Sequence, residues 1–176
     1  ASDVLERLGL EKRKYFLLSA HREENIDIEE NFMSLMNAVN MIAEKYQMPV
    51  IYSTHPRSRK FIEQRGFEFH PLVRSLKPFG FLDYNHLQMN AYCVLSDSGT
   101  LSEESSMLNF PAVLIRTSTE RPEVLDKGTI VIGGIKFEDI EQAVELAVAM
   151  FENGEEVAIP EDYEDTNVSV KVVKII

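Results

Sequence analysis

The stretch Tyr92-Cys93-Val94-Leu95-Ser96-Asp97-Ser98-Gly99-Thr100-Leu101 passes from an unbroken apolar run through small polar residues into a new apolar period. The run 92–95 reads as a strand buried on both faces, because a strand with one wet face would alternate apolar and polar side chains. Residues 97–100 read as a turn and 101–108 as a helix, so the stretch is one strand-turn-helix unit. The same unit recurs on either side. Upstream, residues 15–18 form a short apolar run, followed by the polar stretch 21–25 and a long helix over 28–46 with Phe32, Leu35, Met36, Val39 and Ile42 at helical spacing. A second strand over 49–52 breaks at Thr54-His55-Pro56-Arg57, and a short helix carrying Phe61 and Ile62 closes at Gly66. A third strand is expected around 72–76, then a loop over 77–80 and a helix capped by Asp83 with Leu87 and Met89 on its apolar side. Downstream come strands over 112–115 and 129–132 and an amphipathic helix over 137–151, with Ile140, Val144, Leu146 and Val148 mostly inward. A helix over 2–10, capped by Ser2, precedes them all. Alternation of this kind predicts an α/β fold, a Rossmann-like parallel sheet with helices on both faces.

Composition bounds the function. The chain has 176 residues and 20.1 kDa, enough for one domain with a full core. With 44% hydrophobic and 27% charged residues it is globular rather than disordered. Its net charge of −11 and pI near 4.8 argue against a nucleic-acid binder, which needs a basic footprint. Seven carboxylates and no Lys or Arg fall between residues 152 and 166, so 1–151 reads as the domain and 152–176 as an acidic connector and C-terminal segment. Six of the eighteen basic residues lie between Arg57 and Lys77, mostly as a solvated face. A single cysteine, Cys93, forbids an internal disulfide and reads as a buried, inert thiol. No apolar stretch reaches the roughly twenty residues of a membrane span, and no signal-peptide pattern is present, so the expectation is a cytoplasmic protein.

In an open parallel sheet, ligands bind beyond the carboxyl ends of the strands. The polar residues collect at those junctions: His21 to Asn25, His55 to Arg59, Tyr84, Asp97 to Thr100, and Arg116 to Glu123. Ser98-Gly99-Thr100 opening a helix presents backbone N–H groups suited to a diphosphate, and Gly99 permits close backbone approach. Glu104, one turn later, could accept from ribose hydroxyls. A capping box of Ser98 or Thr100 with Glu103 explains the same residues, and the two readings are compatible. His21 could relay a proton or touch a phosphate, and His55 in the matching loop would face the same crevice, whereas His70 and His86 read as structural or surface. Tyr84 can stack on a flat base or pack in the core. Met33, Met36 and Met41 read as core packing. Metal-ligand spacing, a Walker loop and G-x-G-x-x-G are all absent from the sequence, so no cofactor is expected.

Together, Ser19-Ala20-His21-Arg22-Glu23-Glu24-Asn25, Ser53-Thr54-His55-Pro56, Asp97-Ser98-Gly99-Thr100 with Glu103-Glu104, and Thr119-Glu120-Arg121-Pro122-Glu123 resemble the non-hydrolysing UDP-N-acetylglucosamine 2-epimerases. The resemblance runs from the first helix to about residue 150 and implies the C-terminal half of a two-domain enzyme of glycosyltransferase-B type. Glu23 stands where the family has a second Arg, Thr100 where it has a second Gly, and Ser102 where it has Gln. With residues 76–84, these departures look more like the capsule and O-antigen branch, which acts on 6-deoxy UDP-amino sugars to give UDP-N-acetyl-L-fucosamine. The resemblance implies an isomerase that eliminates UDP to a glycal and adds it back with carbon 2 inverted. It makes His21 the catalytic histidine, and Arg22, His55, Tyr84, Ser98, Gly99, Thr100, Glu104 and Arg121 the UDP-binding set. Within that set Arg22 and His55 stand near the phosphates or a second nucleotide-sugar, and Tyr84 beside uracil. Ser98, Gly99 and Thr100 hold the diphosphate and Glu104 the ribose; Arg121 matches a motif arginine of the family, and the resemblance does not specify its part. The implied partners are a UDP-sugar and the N-terminal domain of the same enzyme, with room for a homodimer of the full-length protein and no nucleic acid or membrane. Two other readings compete: the donor-nucleotide domain of a glycosyltransferase, and a non-enzymatic flavodoxin-like interaction module.

Overall fold

Six short strands carry the fold: β1 (Phe16–Ser19), β2 (Val50–Ser53), β3 (Val73–Leu76), β4 (Cys93–Ser96), β5 (Ala112–Ile115) and β6 (Val131–Gly133). All pair in parallel, in the order β3-β2-β1-β4-β5-β6. The computed structural model describes residues 1–117 and 130–153. Strand order reverses between β1 and β4, which pair from Phe16 with Cys93 to Ser19 with Ser96. Loops leaving these two neighbours must depart to opposite faces, and a crevice opens between them.

Seven helices are described: α1 (Val4–Leu8), α2 (Glu23–Ile26), α3 (Glu29–Tyr46), α4 (Pro56–Arg65), α5 (Phe81–Asn90), α6 (Leu101–Leu108) and α7 (Phe137–Glu152). Alternate strand residues divide between two cores. Phe16 and Leu18 join Phe32, Leu35, Ile42, Val144 and Val148 under α3 and α7. Leu17 joins Val4, Leu87, Val94 and Leu101 under α1, α5 and α6. Period-two alternation thus persists, but both faces are covered, so the strands read as continuous apolar runs. The α4 helix ends where Gly66 takes φ +60°, a conformation that costs glycine little, and its N–H returns to the Glu63 carbonyl. At Gly133 a Cβ would lie 2.9 Å from Val113 Cγ1, so the β5, β6 and α7 junction has no room for a side chain.

Several expectations need correction. Residues 21–25 are not wholly loop: Glu23–Ile26 make one helical turn, because Asn25 and Ile26 are drawn fully into the interior. Asp83 is not the cap of α5. Gly80 holds that position, and Asp83 sits in the first turn, accepting from Ser2 Oγ at 2.6 Å and pairing with Arg7 of α1. Met41, Met89 and Leu146 are exposed by 47%, 42% and 53%, because helical spacing marks a stripe wider than the surface the sheet covers. The expected strand at 129–132 is found at Val131–Gly133, and residue 129 lies outside the described residues. The acidic stretch beyond residue 153 lies outside them too. His70 is structural: its Nδ1 accepts from the Leu72 amide and its Nε2 bonds Glu44. Cys93 is buried, and burial pushes its thiol up, away from reactivity. Among the described residues no helix is long and apolar enough to cross a membrane.

Buried phenols give this fold a distinct alkaline limit. Burial raises Tyr15 and Tyr52 above the ordinary tyrosine value of 10.0, and pushes Tyr46 and Tyr84 up to about 12. A raised folded value means that the unfolded chain loses its phenolic protons first, so this stabilisation is complete below pH 10 and lost as pH rises from 10 through 12. Urea midpoints should therefore hold up to pH 10 and fall across that window, and Tyr52→Phe should make the fall shallower. Tyrosinate absorbance that rises while the circular dichroism stays native would contradict this.

Candidate functional site

The crevice between β1 and β4 is organised by a carboxylate with no solvent exposure. Asp97, at the end of β4, accepts from the His21 amide at 2.9 Å, the Arg22 amide at 2.9 Å and Asn25 Nδ2 at 3.0 Å. Its own amide donates to the Ser19 carbonyl at 3.1 Å, and Arg22 Nε donates to its carbonyl oxygen at 2.8 Å. A buried ionised group survives only when such donors replace its water, and here two backbone amides and a side-chain amide do so.

The His21 ring continues the pattern. Its Nδ1 lies 3.2 Å from Asp97 Oδ1, while the side chain remains half exposed. With Nδ1 turned to the carboxylate, Nε2 is the nitrogen that faces the crevice and can exchange a proton there. His55 is held differently. As the N-cap of α4, its Nδ1 accepts from the Arg57 amide at 3.2 Å, which leaves Nε2 to carry the hydrogen and act as a donor. One loop therefore offers a nitrogen able to accept a proton, and the neighbouring loop offers a donor. Arg57 ties the two loops together by pairing with Asp27 and, at 3.5 Å, with Glu23. Arg65 adds a second tie, donating to the Ile26 and Asp27 carbonyls that close α2.

Across the crevice, Ser98, Thr100 and Glu104 form a hydrogen-bonded chain. Ser98 Oγ and Thr100 Oγ1 are 3.0 Å apart, and Thr100 Oγ1 donates to Glu104 Oε1 at 3.1 Å. Gln88 Nε2 of α5 donates to Glu104 Oε2 at 2.8 Å. The capping box expected with Glu103 does not form. Thr100 is the N-cap, but its backbone is helical (φ −95°, ψ 0°) and its hydroxyl makes no cap bond, reaching forward four residues to Glu104 instead. The backbone amide of Gly99 enters none of these bonds. Among the described residues, a Cβ there would meet only Arg22 Nη2, at 3.8 Å.

Tyr84 lies on the α5 face that turns toward β1, one turn before Gln88. Burial, opposed in part by the Ser19 side chain, pushes its phenol up to about 12. His21, Arg22, Tyr84, Ser98, Gly99, Thr100 and Glu104 are thus brought to one crevice, with His55 at its edge. Arg121 and the rest of the Thr119 to Glu123 motif lie outside the described residues. Three residues with a part in this geometry went unassigned in the sequence: Asp97, Asn25 and Gln88. Asp97 was visible as the polar residue ending an apolar strand, but its partners are 72 to 76 positions away. Gln88 was visible only as a polar residue four positions after Tyr84. Among the described residues no cluster of three or more His, Cys, Asp or Glu is placed to hold a metal ion.

Comparison with known proteins agrees with this fold. The family model for UDP-N-acetylglucosamine 2-epimerase matches residues 1–176. A UDP-N-acetylglucosamine 2-epimerase of Methanococcus maripaludis is 39% identical over 136 residues, which are 75% of this chain and 37% of that protein. A solved UDP-N-acetylglucosamine 2-epimerase from Rickettsia bellii superposes with a TM-score of 0.78 at 37% identity, over 99% of this chain and 47% of that one. The Methanocaldococcus jannaschii enzyme, solved with UDP-GlcNAc and UDP, gives 0.79 at 27% identity, over 99% and 48%. The chain therefore spans about half the length, or less, of the proteins it matches. A matching family model over its whole length, and a six-stranded Rossmann-like sheet shared with the solved members, show that this chain belongs to the UDP-N-acetylglucosamine 2-epimerase family.

Proposed function

We propose that the chain is the UDP-binding half of a UDP-sugar 2-epimerase, an isomerase that inverts carbon 2 of a UDP-amino sugar by eliminating UDP and adding it back. The observation that carries this reading is Asp97, which lashes the His21-Arg22 loop to the Ser98-Gly99-Thr100 loop across the strand-order reversal. That link sets a proton-exchanging nitrogen and a guanidinium beside a glycine-containing helix start. A departing diphosphate gathers negative charge, and fixed N–H donors with a nearby cation stabilise such charge without reorganising. In this reading Ser98, Gly99 and Thr100 hold the diphosphate, Arg22 and the Nε2–H of His55 lie toward the phosphates, Tyr84 lies against uracil, and Glu104 accepts from the ribose. His21 exchanges a proton with the reacting sugar or with the leaving group.

The same reading assigns residues 1–151 to the nucleotide domain, 152–176 to a connector, and the remaining catalytic carboxylates to a second domain that closes the crevice. Glu23 pairs with Arg57, Glu24 with Arg22, and Asp97 with the histidine loop, while Glu104 is held by Gln88 and Thr100 with lone pairs left for the ribose. The stretch 76–84, together with the departures at Glu23 and Thr100, supports the branch acting on 6-deoxy UDP-amino sugars for surface polysaccharide. Each departure makes a contact of its own, Glu23 with Arg57 and Thr100 with Glu104.

Calorimetry with UDP, GDP and ADP tests the nucleotide assignment, and UDP should bind best. Glu104→Ala should weaken both UDP and uridine, by about 1.5–3 kcal/mol for a lost charged hydrogen bond. Ser98→Ala should weaken UDP and leave uridine unchanged. Equal uridine binding by both variants would remove the ribose from Glu104.

Carbon-2 deuterium exchange from heavy water, followed by NMR, tests the division of labour. The 176-residue chain alone should exchange no UDP-sugar, because an open half-crevice exposes the glycal to water. Supplying the missing half should restore turnover, and His21→Ala in the complete enzyme should lower it by about a hundredfold or more. Exchange by the chain alone at the rate of the complete enzyme would overturn the assignment.

A further inference from the structure

Gln88 is a fully buried polar residue on α5, and its amide is only half used. Nε2 donates to Glu104 Oε2 at 2.8 Å, whereas the buried Oε1 has no partner among the described residues. A buried carbonyl oxygen without a donor is a cost that a methionine or leucine of similar size would not incur. Packing alone therefore favours an apolar side chain at this position. What an apolar side chain cannot do is donate to Glu104.

The placement of that donor is specific. Thr100 Oγ1 holds Glu104 Oε1 and Gln88 Nε2 holds Oε2, so each carboxylate oxygen is fixed by one donor and keeps lone pairs for another. Gln88 also stands four residues after Tyr84, on the same face of α5, and Glu104 is close enough to Tyr84 to add to the upward push on its phenol. One helical turn thus supplies both the aromatic ring assigned to the base and the amide that orients the carboxylate assigned to the ribose.

We propose that Gln88 is a positioning residue for ribose recognition: its buried amide fixes the Glu104 carboxylate in the orientation that distinguishes a nucleotide bearing ribose hydroxyls from one lacking them. This rests on the reading of Glu104 given above. Gln88 does not touch the nucleotide in this scheme, and its effect passes through Glu104 alone. A purely structural glutamine would lower stability when replaced and leave ligand preference untouched, whereas a positioning glutamine does the reverse.

The test is titration calorimetry of the chain with UDP and with 2′,3′-dideoxy-UDP, together with thermal unfolding. Gln88→Met should unfold at the same temperature as the parent or higher, bind dideoxy-UDP unchanged, and lose roughly five- to tenfold of the preference for UDP, the scale of one lost hydrogen bond. Gln88→Leu should behave alike, and Glu104→Ala should abolish the preference. If Gln88→Met or Gln88→Leu keeps the parent's preference while Glu104→Ala loses it, the inference is wrong and the ribose reading stands. If both apolar variants fail to fold, the amide serves packing and the inference is equally wrong. If Glu104→Ala keeps the preference, or the parent shows none, the ribose reading falls and takes this inference with it.

Discussion

Asp97 is ionisable, wholly enclosed, and surrounded by donors that come from a different strand-helix unit. Taking a carboxylate out of water costs several kcal/mol, and only a full set of well-aligned donors offsets it. Hydrogen bonds to a charged acceptor contribute about 1.5–3 kcal/mol each, so the three amides on Asp97 make its enclosure tolerable and hold the two loops in one register. The same contacts turn the chain after β1 into the single turn of α2, bury Asn25 and Ile26, and leave His21 with one nitrogen against the carboxylate and the other toward the crevice. Arg22 completes the junction by donating to the Asp97 carbonyl, which brings its guanidinium beside Gly99.

From this junction the remaining polar groups extend in two directions. Toward β2, Tyr52 and Ser58 donate to the Ala20 carbonyl, and Arg57 and Arg65 bind α2, so the histidine loop is braced from the neighbouring strand. Toward α5 and α6, Ser98, Thr100, Glu104 and Gln88 form a continuous series of hydrogen bonds, with Tyr84 one turn before Gln88 on α5. The first direction provides charge and a proton-exchanging group; the second provides neutral hydroxyls, an aromatic ring and one oriented carboxylate.

The sheet itself was legible because burial on both faces writes each strand as a short apolar run, and each long helix as a periodic stripe. The helices at 101–108 and 29–46, and the strand at 112–115, emerge at or within a residue of the expected bounds. Ends set by a local conformation, such as Gly66, were legible for the same reason. Ends set by a distant partner were not. Asp83 looks like a cap in its own segment, but its oxygens are taken by Ser2 and Arg7 from the other end of the chain. Thr100 and Glu103 look like a capping box, yet the backbone turn that follows the anchored Asp97 leaves Thr100 facing Glu104. Met41, Met89 and Leu146 fit an apolar stripe, although no element of the described fold covers them.

By itself, the sequence determined the alternation of strand and helix, hence a parallel sheet, and placed histidines, hydroxyls and a glycine at the strand ends where such sheets bind ligands. These properties depend on residues within a few positions of one another, through side-chain periodicity and backbone preference. Tertiary structure alone decided which of those residues act together, because the contacts of Asp97 with His21, Arg22 and Asn25 join positions more than seventy apart, and that of Gln88 with Glu104 joins two separate helices. Whether a buried polar atom finds a partner depends on the docking of whole elements, and no local spacing encodes it. The orientation of the His21 ring, the commitment of Glu104 and the burial of Gln88 therefore follow from the order of the strands, since the reversal between β1 and β4 is what brings the two loops within hydrogen-bond reach.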